Sequence, residues 1–183
     1  MSRNKQKNKD IWLETGMDIL SLEGPQGLTI DNLVNRIGKT KGAFYHHYTS
    51  YGDYAEKLLE HWIKIYTTDI IEKSKNCVSS NEKLKTLLML TLKIPRKTEL
   101  AIRAWALYNP IVRKCQLKMD SERLKYLTEL YISMSSDRKK AKLKAFKIYS
   151  AFIGYQQIAN QIEGNKSPYI TELFEVANYE LNT

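Results

Sequence analysis

The sequence is poor in the residue types from which catalytic and metal sites are usually built. Its 183 residues include three histidines and two cysteines. It has no zinc-protease motif, nucleophile elbow or glycine-rich phosphate loop. Glu60 and His61, beside Asp53 and Glu56, offer metal ligands, but a charged helix surface explains them more simply. We therefore expect no catalytic residue, no metal and no cofactor.

Long apolar runs are also missing from the sequence. None approaches the roughly 18 residues that a membrane-spanning helix needs. The N-terminal stretch is basic, and no apolar core of a signal peptide follows it. Two cysteines make neither a disulfide framework nor a zinc pattern, so free thiols in a reducing compartment are expected. These features predict a cytoplasmic protein without a membrane partner.

Strand signals are lacking too, because no alternation of apolar and polar residues persists along the chain. The content of apolar residues, 43%, is typical of a folded protein. Proline, glycine and serine instead separate segments with helical spacing of apolar residues. An all-α protein of nine helices is predicted. Outside the segment 28–48, which holds the second and third helices, the predicted ranges are 10–23, 51–75, 79–93, 97–108, 110–134, 137–163 and 168–182.

The segment 28–48 predicts two short helices joined at a glycine. Thr29 can cap the first helix, and Asp31 adds negative charge to its first turn. The apolar residues Ile30, Leu33, Val34 and Ile37 recur at spacings of three and four. Gly38 suits a left-handed residue at the end of that helix, and Thr40 can cap the next one. This pattern is a helix-turn-helix.

The second of these helices has one inward and one exposed side on a helical wheel. The inward face is predicted to carry Thr40, Phe44 and Tyr48. The exposed side presents a glycine, an imidazole, a cation and a phenol, namely Gly42, His46, Lys41 and Tyr45. Such a helix is suited to enter a DNA major groove.

At these residues the sequence resembles the DNA-binding domain of TetR-family transcriptional regulators. The resemblance lies in Gly27-Leu28-Thr29, Ile37-Gly38, Thr40-Lys41-Gly42, Phe44-Tyr45-His46-His47-Tyr48 and Ser50. It covers about the first third of the chain. The chain departs from the family pattern where small or apolar residues are usual, at Val34, Ile37 and Lys39, and Tyr51 replaces a usual lysine.

The resemblance implies a helix-turn-helix DNA-binding domain at 1–50 and a helical ligand-binding and dimerisation domain at 51–183. Hydroxyl groups of the first domain would bind DNA phosphates, Lys41 would reach guanine, and His46 a base edge or a phosphate. His47 stands at the histidine position of the family pattern, but a role in packing or at the helix end explains it equally well. The predicted DNA-binding residues are Thr29, Lys39, Thr40, Lys41, Gly42, Tyr45 and His46.

Positive charge gives the DNA assignment little independent support. The formal net charge is +9, yet residues 1–50 hold seven Lys or Arg against five Asp or Glu. Residues 101–150 hold twelve against four. Most of the excess therefore lies outside the helix-turn-helix, and a solvated lysine-rich surface accounts for it.

Aromatic and amide residues of the second domain are candidates for a ligand cavity. Aromatic walls with a few polar groups suit a small organic effector. For each residue taken alone, a place in the core is the better explanation. The candidates are Trp62, Tyr66, Trp105, Tyr108, Tyr126, Tyr149 and Gln156.

The last two predicted helices carry wide apolar stripes, and the resemblance makes them a homodimer interface built as a four-helix bundle. Packing within their own domain is the alternative. The candidate interface residues are Phe146, Ile153, Gln157, Ile170, Phe174 and Ala177.

The sequence as a whole predicts a homodimeric transcriptional regulator that binds a double-stranded DNA operator. We expect a repressor that a small organic effector releases from DNA, and no enzymatic activity. The alternative is a helix-turn-helix regulator controlled by a protein partner, with no small-molecule ligand. In that case the basic segment 101–150 could offer a surface to an acidic partner.

Overall fold

The fold was analysed in a computed structural model, which describes the backbone of residues 2–158 and the side chains of residues 11–158. Over this range the regular structure is entirely helical, as predicted. The elements are α1 (Ser2–Glu23), α2 (Ile30–Ile37), α3 (Lys41–His47), α4 (Tyr51–Ile63), a π turn (Lys64–Thr68), α5 (Asp69–Lys75), α6 (Ser80–Thr91), α7 (Arg96–Ala106), α8 (Pro110–Met134) and α9 (Arg138–Ile158). The predicted helix 168–182 lies outside the described residues.

Several helix ends follow from the capping residues that the sequence offered. Ser79 and Glu82 form a complete capping box at the start of α6. The Asn109 side chain accepts hydrogen bonds from Ile111 N and Val112 N, at 3.0 and 3.2 Å, ahead of α8. The predicted start of α1 at residue 10 is wrong, because α1 begins at Ser2. The added residues include no glycine or proline, and most are good helix formers.

The segment 51–75 is helical throughout, but it is not the single regular α-helix that was predicted. A π turn at Lys64–Thr68 separates α4 from α5. Within this turn the buried hydroxyl of Thr67 accepts a hydrogen bond from Arg123 Nε at 2.9 Å. A π turn is a rare interruption of an α-helix, and this one coincides with a polar contact from α8.

The chain divides into two compact units. Unit 1 comprises Met1–Tyr66 and Pro95–Met119, and unit 2 comprises Thr67–Ile94 and Asp120–Thr183. The helices α2 and α3 are too short to be stable alone, and they pack into the apolar core of unit 1. The predicted boundary at residue 50 separates a DNA-binding domain from a ligand-binding and dimerisation domain. It is defined by function rather than by compactness, and it stays a prediction.

A glycine fixes how closely α1 and α4 approach within unit 1. A Cβ atom at Gly16 would overlap the hydroxyl group of Tyr54. That hydroxyl is buried and donates a 2.9 Å hydrogen bond to Trp12 O in α1. Burial also raises the pKa of Tyr54 far above its ordinary value. The absence of a side chain at Gly16 thus lets α4 pack closely on α1.

Polar contacts connect the helices of unit 2. The hydroxyl of Ser74 donates to Lys83 O at 2.7 Å and shares a 2.8 Å hydrogen bond with the Tyr126 hydroxyl. The Tyr149 hydroxyl donates to Asp120 Oδ1 at 2.7 Å. These bonds join α5, α6, α8 and α9 within the unit.

Candidate nucleic-acid interface

The start of α2 is fixed by its cap and by the loop before it. Thr29 Oγ1 accepts a hydrogen bond from Asn32 N at 3.1 Å. The Asn32 side-chain amide donates to Gly27 O and to Glu23 Oε2, each at 2.9 Å. Glu23 also forms an ion pair with Arg36 at the end of α2. Thr29 is therefore held in place at the exposed end of this helix.

The turn between α2 and α3 has the geometry that its sequence predicts. Gly38 ends α2 with φ 69°, in the left-handed region. Lys39 N–H donates to Val34 O at 2.9 Å, and Thr40 Oγ1 accepts from Ala43 N at 3.2 Å. The predicted inward position of Thr40 is wrong, because Thr40 is the exposed N-cap of α3. As a cap it precedes the first helical turn, where the wheel does not apply.

Aromatic residues hold the inner side of α3 on the core, as predicted for Phe44 and Tyr48. Both are buried, and their ring centroids lie 5.3 Å apart. Phe44 also meets Trp12 edge-on, at 5.7 Å. His47 is half-buried with its ring 6.2 Å from Trp12, which favours the packing explanation for this histidine. These contacts fix the rotation of α3 about its own axis.

The outer side of α3 and the helix starts beside it form an exposed polar surface. The Tyr45 side chain is 55% exposed, and its ring contacts Phe44 edge-on at 5.4 Å. A Cβ at Gly42 would meet nothing closer than Thr40 Oγ1, at 3.6 Å, so backbone is open to a partner. All seven predicted DNA-binding residues are exposed: Thr29, Lys39, Thr40, Lys41, Gly42, Tyr45 and His46.

An ion pair joins the first turns of the two short helices. Lys41 Nζ lies 2.7 Å from Asp31 Oδ1, and both side chains are more than half exposed. The hydrogen bond from Lys41 to Asp31, followed by the carboxylate charge, raises the pKa of Lys41. Sequence reasoning assigned Asp31 only to the helix dipole and missed this contact. The available signal was that the two residues carry opposite charges in the first turns of consecutive short helices.

The predicted ligand-binding residues divide between the two units. Trp62 and Trp105 are buried in the core of unit 1, and the half-buried Tyr66 packs against that core. Tyr126, Tyr149 and Gln156 belong to unit 2. Tyr108 is 87% exposed, a position that does not favour the wall of an enclosed cavity.

The described half of the predicted dimer interface lies on α9. Phe146 is 58% exposed, Gln157 is exposed and Ile153 is half-buried. Leu143 and Ile158 of the same helix are also more than half exposed. Ile170, Phe174 and Ala177 lie outside the described residues.

The part of the chain that the structure describes contains neither a cluster of metal ligands nor a membrane-spanning helix. In it, histidine, cysteine, aspartate and glutamate nowhere come together in groups of three or more that could hold a metal. None of its helices combines the length and apolar character needed to cross a membrane. Cys77 and Cys115 are free and half-buried.

Comparison with known proteins gives matches in structure alone. No protein-family model and no curated protein matches the sequence. A transcriptional regulator from Rhodococcus sp. Rha1 superimposes with a TM-score of 0.80 at 13% identity, covering 94% of this chain and 95% of that one.

Two more solved structures agree with the first. One, described as a transcriptional regulator from Saccharomonospora viridis in complex with choline, has a TM-score of 0.79 at 13% identity, with 97% and 96% coverage. The other, a TetR transcriptional regulator from Legionella pneumophila, has a TM-score of 0.74 at 14% identity, with 95% of both chains covered. The fold predicted from the helix-turn-helix is confirmed: this chain has the fold of the TetR/AcrR-family transcriptional regulators.

Proposed function

We propose that the protein is a sequence-specific DNA-binding transcriptional regulator with α3 as its recognition helix. The exposure of all seven predicted contact residues on one capped helix-turn-helix carries this proposal. The buried aromatic side of α3 leaves its opposite side as the only one able to face a groove. The fold shared with transcriptional regulators supports the same function.

The chemistry of the exposed groups suggests a division of roles. Thr29, Thr40 and Tyr45 offer hydroxyl groups, which position a protein on DNA by binding phosphates. Lys41 is a cation at the start of α3, where recognition helices meet base edges, and it can donate to guanine O6 or N7. His46 can donate to a base edge or a phosphate. Gly42 leaves room for DNA to approach the helix backbone. We assign Lys39, in the turn, to a phosphate.

Selection of duplexes from a random library tests the proposal without a known operator. The wild-type protein is expected to enrich a sequence motif with two related halves whose centres are about 10 base pairs apart. The two recognition helices of the dimer would have this spacing or adjust to it. Protein in which Lys41 and Tyr45 are both alanine should enrich no motif. Enrichment of the same motif by this variant would exclude α3 as the reading element.

Asp31→Asn tests the ion pair at the proposed interface. In the wild type the Asp31 carboxylate partly neutralises Lys41 and would repel DNA phosphates. Removing its charge should tighten DNA binding and make the logarithmic salt dependence steeper by up to about 1. Fluorescence anisotropy at several salt concentrations measures both. An unchanged slope with weaker binding would mean that Asp31 is needed to orient Lys41.

We also propose that the protein acts as a homodimer through α9 and the segment after it. The exposed apolar side chains of α9 support this, because Leu143, Phe146 and Ile158 are each more than half exposed. An unpaired apolar helix face of this kind is usual for an interface. Paired recognition helices would then read the two halves of an operator.

Phe146→Glu is expected to convert dimers to monomers, since it places a charge in the proposed apolar interface. Val78→Glu is a matched control, because Val78 is also in unit 2, is 94% exposed and belongs to the loop between α5 and α6 rather than to α9. Sedimentation at micromolar concentration should show a dimer for the control and a monomer for Phe146→Glu. A monomeric wild type, or a dimeric Phe146→Glu protein, would argue against this interface.

We further propose repression that a small organic effector relieves, in a cytoplasmic protein that catalyses no reaction. The choline complex of the similar Saccharomonospora viridis protein supports a small-molecule effector. Such an effector must bind the DNA-incompetent state better than the competent one. Two separate sets of candidates remain for its site, Trp62, Tyr66 and Trp105 in unit 1 or Tyr126, Tyr149 and Gln156 in unit 2, and the exposed Tyr108 is omitted.

A further inference from the structure

A groove in unit 2 lies where α8 turns into α9. Its volume is about 580 Å³, within the range of small-molecule sites. Tyr131 near the end of α8 and Ser136 in the turn form part of its wall. None of the predicted ligand-binding residues lines it. It is therefore separate from the effector site considered above.

Three lysines of α9 give the groove its charge. Lys140, Lys144 and Lys147 follow at spacings of four and three, so they share one side of the helix. Among the described residues that line the groove, Asp137 is the one acidic residue. Its Oδ1 accepts hydrogen bonds from the backbone N–H groups of Lys139 and Lys140, at 2.9 and 3.0 Å. Three lysines against one aspartate give this lining a formal charge of +2.

The surrounding sequence increases the positive charge further. Residues 138–147 contain six Lys or Arg and no Asp or Glu. Like charges three or four residues apart destabilise a helix, and Lys140, Lys144 and Lys147 form two such pairs. A bound anion would remove this repulsion. It would also be favoured by the dipole at the N-terminal end of α9.

The groove also has a surface against which an organic group can lie. Lys144 Nζ lies 5.4 Å from the centroid of the buried Tyr131 ring, a cation–π arrangement that orients the lysine. Leu143 and Met134 add apolar surface, and Ser136 adds a hydroxyl group. Amines, a hydroxyl and apolar carbon together suit a phosphorylated organic molecule better than a bare inorganic ion.

We propose that the groove formed by the α8–α9 turn binds a multiply charged, phosphorylated small molecule of nucleotide size, held by Lys140, Lys144 and Lys147. This site does not depend on DNA binding by α3. Binding there would place a ligand beside the exposed Leu143 of α9, one of the apolar side chains of the proposed dimer interface. A bound phosphorylated molecule would thereby affect dimerisation.

Calorimetric titration with ATP tests the proposal on the full chain without DNA. Replacing Lys140, Lys144 and Lys147 by glutamine should weaken ATP binding at least about tenfold, because three charge-assisted contacts are lost. The matched control replaces Arg138, Lys139 and Lys142 by glutamine. It removes the same charge from the same helix at residues that do not line the groove. The control should stay within about threefold of the wild type.

Further arms separate the alternatives. If circular dichroism shows that the triple variant does not fold, the double variant Lys140→Gln and Lys147→Gln takes its place. It leaves the half-buried Lys144 unchanged and should still weaken ATP binding. Equal losses in the groove and control variants would overturn the site in favour of general charge attraction. No ATP binding by the wild type would overturn it as well. If the groove variant lost affinity for a random DNA duplex as strongly as for ATP, the assignment to a small molecule would be overturned. If inorganic triphosphate bound the wild type as tightly as ATP does, the proposed contact with the organic part of the ligand would be overturned.

Discussion

Gly16→Ala is expected to lower the free energy of unfolding of unit 1 by about 2–4 kcal/mol. The added methyl group would overlap the Tyr54 hydroxyl, which is fully buried and cannot move into solvent. Tyr54 would have to shift, losing its hydrogen bond to Trp12 O and leaving two polar groups buried without that bond. Urea unfolding followed by tryptophan fluorescence measures the change.

Two controls separate this clash from a general effect of removing glycine. Gly52→Ala in α4 should instead raise stability by up to about 1 kcal/mol, because its Cβ would meet only Ser50 Oγ at 3.6 Å. Adding Tyr54→Phe to Gly16→Ala should recover part of the loss, since the obstructing hydroxyl is gone. A Gly16→Ala protein as stable as the wild type would contradict the described packing of α1 on α4.

Lys41→Ala and Tyr45→Ala are each expected to weaken binding to the selected operator. A lost base contact of Lys41 should cost about 1–3 kcal/mol, or roughly 5- to 150-fold in affinity, and relax preference at one position. Loss of the Tyr45 phosphate contact should weaken binding to all sequences alike. Gel shifts with the operator and with single-base variants of it distinguish these two outcomes.

Matched controls exist for both substitutions. Lys57 of α4 is a half-exposed lysine that, like Lys41, is paired with a carboxylate: its Nζ lies 2.9 Å from Glu60 Oε2. Tyr108 is an exposed tyrosine of unit 1, as Tyr45 is. Neither was predicted to bind DNA, so Lys57→Ala and Tyr108→Ala should bind the operator like the wild type. Unchanged binding by Lys41→Ala and Tyr45→Ala would refute the role of the helix-turn-helix.

The sequence was sufficient where structure depends on neighbours along the chain. Thr29 and Thr40 cap the two short helices through the backbone N–H three residues ahead. Gly38 ends α2 because only a residue at ease with positive φ fits there. The same local rules gave the capping box at Ser79 and the start of α8 after Asn109.

Features that depend on residues far apart in the chain were not predictable in this way. The π turn in the segment 51–75 involves Thr67 and Arg123, which are 56 positions apart. The ion pair between Asp31 and Lys41 needs the angle between α2 and α3. Periodicity gives the face of each helix but not which faces meet, so the aromatic residues proposed for one cavity divide between two units.

The most direct test of the account is a photo-cross-link between α3 and the selected operator. Tyr45 would be replaced by p-benzoylphenylalanine, which retains an aromatic ring at this position, and Tyr108 would be replaced likewise as the control. The account predicts cross-links from position 45 to both halves of the operator and none from position 108. Cross-linking from position 108 with none from position 45 would contradict the proposal that α3 reads DNA.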